Sequence, residues 1–235
     1  SLQFIDQINF LSKKKKFLGK FVNVSTDEVY GSIDGKSSSE DFPLLPNSPY
    51  SASKAGAEEL CLAYANSYKL PIHITHTMNV FGERQHPEKY IPMTIRNVRD
   101  DKLVTIHSDE SRTTPGSRHY IHASDVADGC LFLLNNPNKV QELPNDFGEA
   151  KCPKFNLVGP VEWNNLELAE KIAESQNKKL KYRLVDFHSS RPGHDLRYAL
   201  DGTKMKNMGW EPESAFKRLE SVVQWTLEND RWLIT

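Results

Sequence analysis

A tyrosine and a lysine, Tyr50 and Lys54, stand four positions apart in the sequence. On a helix, two residues at this spacing lie on the same face, one turn apart. An ammonium group beside a phenol favours the phenolate and lowers the pKa of the phenol, so the tyrosine becomes a usable base near neutral pH. An isolated pair of this kind is usually part of a solvated helix surface, so its surroundings must support a catalytic interpretation.

A hydroxyl and two carboxyl groups, those of Thr26, Asp27 and Glu28, follow a short segment of β-forming residues at 21–25. Adjacent side chains on an extended strand point to opposite faces, so both carboxyls can serve one substrate only where the strand is already turning. Given that turn, one carboxyl acts as an acid and the other as a base if their surroundings separate their pKa values. The alternative interpretation is an ordinary polar loop start.

The elements between these two groups predict a βαβ unit. Residues 21–25 indicate a strand, 33–49 a loop rich in Gly, Ser, Asp and Pro, 50–68 a helix and 72–80 a second strand. A strand, a helix and a strand with short connections belong to a parallel sheet. Ligands of such sheets bind at the carboxyl ends of the strands, which is where Thr26 stands.

The remaining patterns are shorter and less regular, as expected of a smaller mixed lobe. A helix is predicted at 2–11, followed by a basic run at 13–16, which is better explained as a solvated helix end than as a nucleic-acid site. Further strands are predicted at 103–107, 118–122, 154–158 and 180–185, and further helices at 124–134, 165–175, 202–208 and 213–228.

The composition excludes several classes of function. Thirty basic and 31 acidic residues give a net charge of −1, so no overall field favours nucleic acid or an anionic membrane. The apolar run 131–134 is far shorter than the roughly 20 residues that span a bilayer. Three cysteines without metal-ligand spacing indicate free thiols in the cytoplasm and no metal site. The chain opens on Ser1 without a signal-peptide pattern, as expected of a cut chain.

Four strings carry a resemblance to a known family: VSTDEVYG from Val24, SPYSASKAGAE from Ser48, PEKYIP from Pro87 and RPGHDLRYALD from Arg191. Together they resemble the NAD-dependent epimerase/dehydratase family, the extended short-chain dehydrogenases/reductases. Within that family, Thr-Asp-Glu is similar to the dTDP-glucose 4,6-dehydratase pattern. The resemblance implies an α/β fold: part of a Rossmann-type doubly wound parallel sheet whose N-terminal strands are missing, with a smaller mixed α/β C-terminal substrate lobe.

The resemblance also implies a lyase that converts dTDP-glucose or UDP-glucose to the 4-keto-6-deoxy sugar nucleotide. Tyr50 would be the base for the sugar 4-hydroxyl, and Lys54 would tune Tyr50 and contact the nicotinamide ribose of NAD. Glu28 would remove the C5 proton, Asp27 would protonate the departing 6-hydroxyl, and Thr26 would hydrogen-bond near the 4-oxygen. The hydride that leaves C4 returns to C6, so NAD acts as a bound relay.

The residues that align with family contacts to a nucleotide diphosphate sugar are Asn79, Lys89, Arg118, Asn165, Arg191 and His194. Arg118 and Arg191 are the expected phosphate partners, because a guanidinium can bind two oxygens at once. The sequence departs from the bacterial dTDP-glucose pattern at Val80, at His119 and over 109–116. Either dTDP-glucose or UDP-glucose therefore remains open as the substrate.

By the same resemblance, residues 1–100 are expected to be the remaining part of a dinucleotide-binding and catalytic domain. Residues 101–235 are expected to form mainly the substrate lobe, with some segments returning to the first domain. No Gly-rich turn suited to a pyrophosphate precedes Thr26 or follows later in the chain. We therefore expect weak NAD binding, impaired activity, and a separate N-terminal NAD-binding half as a possible partner. A homodimer through the 50–68 helix is expected from the family.

Three other functions stay open at this point: a 4-epimerase, a UDP-glucuronate decarboxylase and a non-catalytic nucleotide-sugar-binding subunit. An epimerase needs neither a C5 base nor a C6 acid, so Asp27 and Glu28 together favour dehydration. A decarboxylase can use Glu28 but does not need Asp27. Binding without turnover would support the non-catalytic subunit.

Overall fold

The computed structural model describes residues 20–31, 37–141, 152–186 and 197–234. They form two compact units. The first contains the described parts of Ser1–Thr77, Ala127–Leu157 and Leu200–Glu211, and the second contains those of Met78–Val126, Val158–Ala199 and Pro212–Thr235. The predicted helix at 2–11 and the basic run at 13–16 lie outside the described residues. The functional division at residue 100 stays a prediction.

The described strands and helices have the following bounds. The strands are β1 (Phe21–Thr26), β2 (Ile72–Thr77), β3 (Val80–Phe81), β4 (Val104–Ser108), β5 (Ser117–His119), β6 (Ile121–His122), β7 (Lys154–Leu157), β8 (Glu162–Asn164), β9 (Tyr182–Asp186) and β10 (Arg197–Tyr198). The helices are α1 (Pro49–Tyr68), α2 (Tyr90–Arg99), α3 (Ala123–Asn135), α4 (Pro137–Gln141), α5 (Asn165–Glu174), α6 (Thr203–Asn207) and α7 (Ala215–Glu228), with 3-10 helices at Asp27–Tyr30 and Asp230–Leu233.

The first unit is built on a parallel sheet with the strand order β1-β2-β7. Helix α1 connects β1 to β2, which confirms the predicted βαβ unit. All six residues of the central strand β2 are buried. One face of α1 packs on the sheet through Cys61 and Ala65, which join Ile72 and Ile74 in one apolar cluster. The parallel α/β fold class is thereby confirmed, and β7 belongs to this sheet.

Two predicted strands are interrupted in the structure. The strand predicted at 72–80 ends at Thr77, because Asn79 adopts a positive φ of 41° and turns the chain before β3. The strand predicted at 118–122 divides at Tyr120 into β5 and β6. These two short strands have different partners: β5 pairs with β8 and β10, whereas β6 pairs with β3.

The second unit packs helices around an apolar core that the sequence analysis only partly predicted. Helix α2 was not predicted, although Ile91, Ile95 and Val98 follow a helical spacing along it. Pro92 stands in its first turn, where a missing N–H costs no helical hydrogen bond. The core of this unit unites side chains of α2, α5 and α7, among them Ile95, Leu168, Ile172, Leu219 and Val223.

Candidate active site

The Thr26-Asp27-Glu28 sequence lies where β1 passes into a 3-10 helix. Thr26 is still extended, with φ −140° and ψ 153°, and its hydroxyl accepts a hydrogen bond from Glu28 N at 3.4 Å. The same hydroxyl donates to the Asp27 carboxylate at 3.0 Å. The chain is therefore already turning at the two carboxyls, which is the condition for both to serve one ligand. Asp27 is buried and Glu28 is partly exposed, so their surroundings differ.

Gly31 ends this turn, at a position that only a residue without a side chain can occupy. Its φ is +69°, and a Cβ at this position would lie 2.1 Å from the carbonyl oxygen of Leu45. Leu45 N in turn donates to Val29 O at 2.9 Å. The loop that leads to α1 therefore packs directly on the turn of the carboxyl pair.

The start of α1 is fixed by a reciprocal cap between two serines. Ser48 Oγ accepts from Ser51 N at 3.1 Å, and Ser51 Oγ accepts from Ser48 N at 3.0 Å. Tyr50 and Lys54 therefore stand in the first and second turns of the helix. The Lys54 ammonium donates to the backbone oxygen of Val24 at 2.8 Å, which ties α1 to β1.

The pKa of the Tyr50 phenol depends in part on the nearby carboxyl pair. Burial raises the pKa of Tyr50 above its usual 10.0, the charges of Glu28 and Asp27 raise it further, and a hydrogen bond with Thr26 opposes them. The expected lowering by Lys54 is wrong for this structure, because the ammonium binds a backbone carbonyl of β1 instead. Tyr50 is therefore protonated at neutral pH and able to donate a hydrogen bond.

Two of the predicted substrate contacts are exposed side chains of the second unit. Asn79 lies at the positive-φ turn before β3, and Lys89 lies immediately before α2. Arg191 and His194 lie outside the described residues. The binding roles of all four stay predictions.

Two further predicted contacts, Arg118 and Asn165, are held by neighbours in the second unit. The Arg118 guanidinium donates to Ser117 O at 2.6 Å. Asn165 begins α5, and its side-chain oxygen accepts from Tyr120 OH at 3.0 Å, while its backbone oxygen accepts from Tyr90 OH at 2.6 Å. Asn165 is thus fixed by two tyrosines, and its binding role also stays a prediction.

A buried polar network that the sequence analysis missed connects α1 to the strand end. One carboxylate oxygen of Glu58 accepts from Ser25 Oγ at 2.5 Å and lies 3.0 Å from His76 Nε2. The other ring nitrogen of His76 lies 3.1 Å from Tyr30 OH. Ser25 directly precedes Thr26, and Tyr30 is the last residue of the 3-10 helix, so the network touches both ends of the carboxyl turn.

Two signals in the sequence point to this network. Glu58 continues the four-residue spacing of Tyr50 and Lys54 along α1. His76 stands in the segment IHITHT, where polar residues interrupt a strand that is buried throughout. Buried polar groups need partners, so a polar residue in such a strand predicts an interacting side chain elsewhere.

A second carboxylate missed by the sequence analysis joins three strands of the second unit. Glu162 on β8 accepts two hydrogen bonds from Arg197 on β10, at 2.7 and 3.0 Å, and one from Ser117 Oγ on β5 at 2.6 Å. Arg197 belongs to the RPGHDLRYALD string, so that string also supplies one partner of a structural ion pair.

Two general features of the described residues bear on function. They contain no cluster of three or more His, Cys, Asp or Glu side chains able to hold a metal ion. None of the described helices has the length and apolar character needed to cross a membrane.

Comparison with known proteins finds a matching family model and relatives that are 36–40% identical to this chain. A family model described as GDP-mannose 4,6 dehydratase matches residues 2–222. The Low-salt glycan biosynthesis protein Agl12 of Haloferax volcanii is 40% identical over 214 residues, covering 91% of this chain and 63% of the relative. A dTDP-glucose 4,6-dehydratase of Streptomyces niveus is 36% identical over 217 residues, covering 92% of this chain and 59% of the relative.

The fold of a solved relative agrees with these matches. The crystal structure of DesIV, a dTDP-glucose 4,6-dehydratase from Streptomyces venezuelae with NAD bound, has a TM-score of 0.77 and 36% identity. It is matched over 93% of this chain and 63% of its own. The chain therefore spans about three-fifths of the length of the relatives that it matches.

Proposed function

This chain belongs to the GDP-mannose 4,6-dehydratase family of NAD-dependent epimerases and dehydratases, and we propose that it carries the catalytic and substrate-binding residues of a nucleotide-sugar 4,6-dehydratase. The observation that supports this function best is the turn of Asp27 and Glu28 beside Tyr50. Both carboxylates act on the phenol electrostatically. A dehydration needs an acid, a base and a group at the 4-hydroxyl in one place, and these three side chains meet that need.

Each of the three side chains then moves one proton. Tyr50 accepts the proton of the sugar 4-hydroxyl as C4 is oxidised to a ketone, which acidifies the proton on C5. Glu28 takes that C5 proton, and Asp27, which must be in its protonated form for this step, gives its proton to the 6-hydroxyl, which leaves as water. Addition of hydride to C6 and of a proton to C5 completes the 4-keto-6-deoxy sugar. Thr26, hydrogen-bonded to Asp27, supplies a hydroxyl for the 4-oxygen.

The residues of α1 fit part of an NAD molecule. Tyr50 and Lys54 present a phenol and an ammonium one helical turn apart, and both are donors for ribose hydroxyls. NAD, when bound, supplies the hydride acceptor and donor for this redox-neutral reaction. Because the pKa of Tyr50 is raised in this structure, its role as a base requires additional positive charge near the phenol.

The substrate that we propose is dTDP-glucose or UDP-glucose. Its diphosphate is bound by Arg118 and Arg191, with Lys89 and His194 as further donors and Asn79 and Asn165 as neutral partners. A guanidinium suits a diphosphate because it binds two oxygens in a fixed geometry. This assignment is supported by the motif match and by the exposure of Asn79 and Lys89.

Turnover tests the proposal. Each substrate is incubated with NAD and this chain, or with the chain fused to a related N-terminal NAD-binding half, and the 4-keto-6-deoxy product is followed by its alkaline absorbance. We expect product from the fusion with at least one substrate, and the preferred base identifies the nucleotide. A well-folded fusion that binds the nucleotide sugar without forming this product would contradict the proposal.

The proposed assembly is a cytoplasmic homodimer that uses α1. Tyr64 and Tyr68 place their rings 5.3 Å apart on this helix, and Tyr68 is 49% exposed, so an aromatic surface is available there. The three free cysteines support a reducing compartment. Sedimentation of the chain and of a Tyr68→Glu variant tests the dimer: a monomeric wild type would contradict it.

A further inference from the structure

Glu58 is a carboxylate enclosed by hydrogen-bond donors in the middle of α1. Its side chain is 1% exposed. One of its oxygens binds Ser25 Oγ and the His76 ring, and the Lys154 ammonium lies 3.4 Å from the other in an ion pair without a hydrogen bond. Burial by itself would raise the pKa of Glu58, but the hydrogen bond and charge of His76, the Ser25 hydroxyl and Lys154 together lower it. Glu58 is therefore ionised at neutral pH.

The partners of Glu58 belong to the elements that carry the proposed chemistry. Ser25 is the residue before Thr26 on β1, so its hydrogen bond holds the strand immediately before the carboxyl turn. His76 on β2 extends the contact to Tyr30, at the end of the 3-10 helix that begins at Asp27. Hydrogen bonds to an ionised group are shorter and stronger than neutral ones, so this contact is stiff.

We propose that Glu58 is a positioning residue, whose buried carboxylate holds the helix of Tyr50 against the turn of Asp27. The inference rests on the proposed function and deepens it. Lys54 makes a second tie between α1 and β1 through Val24 O, one turn closer to Tyr50. A misplacement of about 1 Å between reacting groups can lower turnover by on the order of 100-fold, so a loosened helix has a measurable effect.

Glu58→Gln is the test variant, because it keeps the shape of the side chain and removes its charge. Two variants on the same helix are matched controls. Glu59→Gln makes the same substitution at the adjacent, exposed position. Cys61→Ala removes a buried atom of the apolar cluster without touching the hydrogen bonds of Glu58, so it reports the effect of lost packing alone.

Two readouts separate positioning from a general loss of stability. We expect Glu58→Gln to lower kcat about tenfold with KM changed less than about twofold, and both controls to retain the wild-type kcat. The second readout is the pKa of Tyr50, followed by NMR of ring-labelled tyrosine. It is expected to fall toward 10.0 as the phenol moves away from Glu28. Glu58 is not itself a cause of the raised pKa of Tyr50, so a shift reports displacement.

The two readouts also distinguish the failure of each idea. If the wild-type chain and its fusion form no product, the proposed function fails, and the pKa of Tyr50 still decides the positioning role. A folded Glu58→Gln variant with wild-type kcat and an unchanged pKa of Tyr50 would overturn the inference. If Glu58→Gln does not fold, Ser25→Ala is the second variant, because it removes one hydrogen bond of the same network. We then expect a smaller fall in kcat and a smaller fall in the pKa of Tyr50.

Discussion

Two carboxylates, Glu58 in the first unit and Glu162 in the second, are held in contrasting ways. Glu58 is 1% exposed and is bound by a hydroxyl and an imidazole, with a lysine nearby. Glu162 is 27% exposed and accepts hydrogen bonds from Nε and Nη2 of Arg197. A buried charge depends on every neighbour, because water cannot replace a lost partner, whereas water can reach the second carboxylate.

The two carboxylates therefore have different roles: Glu58 joins elements beside the candidate active site, and Glu162 joins the strands of a small sheet. The partners of Glu58 lie next to the Asp27 and Glu28 turn, so its network defines where Tyr50 stands. The partners of Glu162 lie on the other two strands of its sheet, β5 beside it and β10 beyond β5, so its contacts hold a small sheet together. An ion pair that is conspicuous in a structure therefore need not be the one beside the candidate active site.

The largest expected effect is on stability. Glu58→Ala leaves Ser25, His76 and Lys154 without their shared partner, so the free energy of unfolding should fall by about 3–5 kcal/mol. Glu162→Ala should lower it by only about 1–2 kcal/mol, because solvent replaces the lost carboxylate. Urea unfolding of both variants measures the difference. Equal losses would remove the contrast between the two sites.

A smaller effect is expected in acid. Hydrogen bonds from Arg197 lower the pKa of Glu162 to about 2, from an ordinary 4.5. Because the pKa is lower in the folded state, the stability from Glu162 is complete above pH 4.5 and is lost as the pH falls toward 2.

The matching variant is Glu162→Gln, which cannot titrate. Its stability deficit relative to the wild type should shrink over that acid range, as measured by urea unfolding at a series of pH values. A deficit that is constant down to the lowest pH would show that the carboxylate is not held in its ionised form.

The electrostatic link within the candidate active site predicts a change in the pKa of Tyr50 without a large change in stability. Glu28→Gln should lower the pKa of Tyr50 toward 10.0, because the charge of Glu28 contributes to raising it, and Asp27→Asn should lower it less. Burial of the phenol remains, so the pKa should stay above 10.0. NMR titration of Tyr50 measures both shifts. Glu162→Gln is the control, because Glu162 is not among the groups that shift the pKa of Tyr50. A shift in that variant would contradict the assignment of the effect to Glu28 and Asp27.

The smallest effect is expected at a third carboxylate, Glu40. Its pKa is raised in the folded protein, whereas those of Glu58 and Glu162 are lowered. Burial raises the pKa of Glu40, although its carboxylate accepts a hydrogen bond from Asn156 N at 2.9 Å. Its ionised form therefore costs stability at neutral pH. Glu40→Gln keeps an acceptor for Asn156 N and should leave the free energy of unfolding unchanged or raise it by up to about 1 kcal/mol. A clear loss in thermal unfolding would show that Glu40 acts like Glu58.

Local patterns in the sequence predicted the frame of the first unit. The strand before Thr26, the polar loop and the helix of Tyr50 and Lys54 were predicted because alternation, turn residues and helical spacing are local signals. The turn at Asp27 was a condition for both carboxyls to serve one ligand rather than a prediction, and the structure meets that condition. The interruption at Asn79 was missed, because a single positive φ leaves no periodic signal.

Long-range contacts account for what could not be predicted. Glu58 meets His76 across 18 positions, and Tyr30 meets His76 across 46. The direction of the pKa shift of Tyr50 was predicted wrongly, because the spacing to Lys54 shows that an ammonium is near but not that Val24 O binds it. The partners of a charged side chain are set by the tertiary fold.

The most direct test of the central claim follows the C5 proton of the sugar. The active polypeptide, as the chain or its fusion, is given dTDP-glucose or UDP-glucose and NAD in deuterated water, and the product is examined by NMR and mass spectrometry. Dehydration predicts a 4-keto-6-deoxy sugar with deuterium at C5, formed at least about 100-fold more slowly by Glu28→Gln, while Glu59→Gln behaves as wild type. A 4-epimer that retains the original C5 proton, or undiminished turnover by Glu28→Gln, would contradict the account.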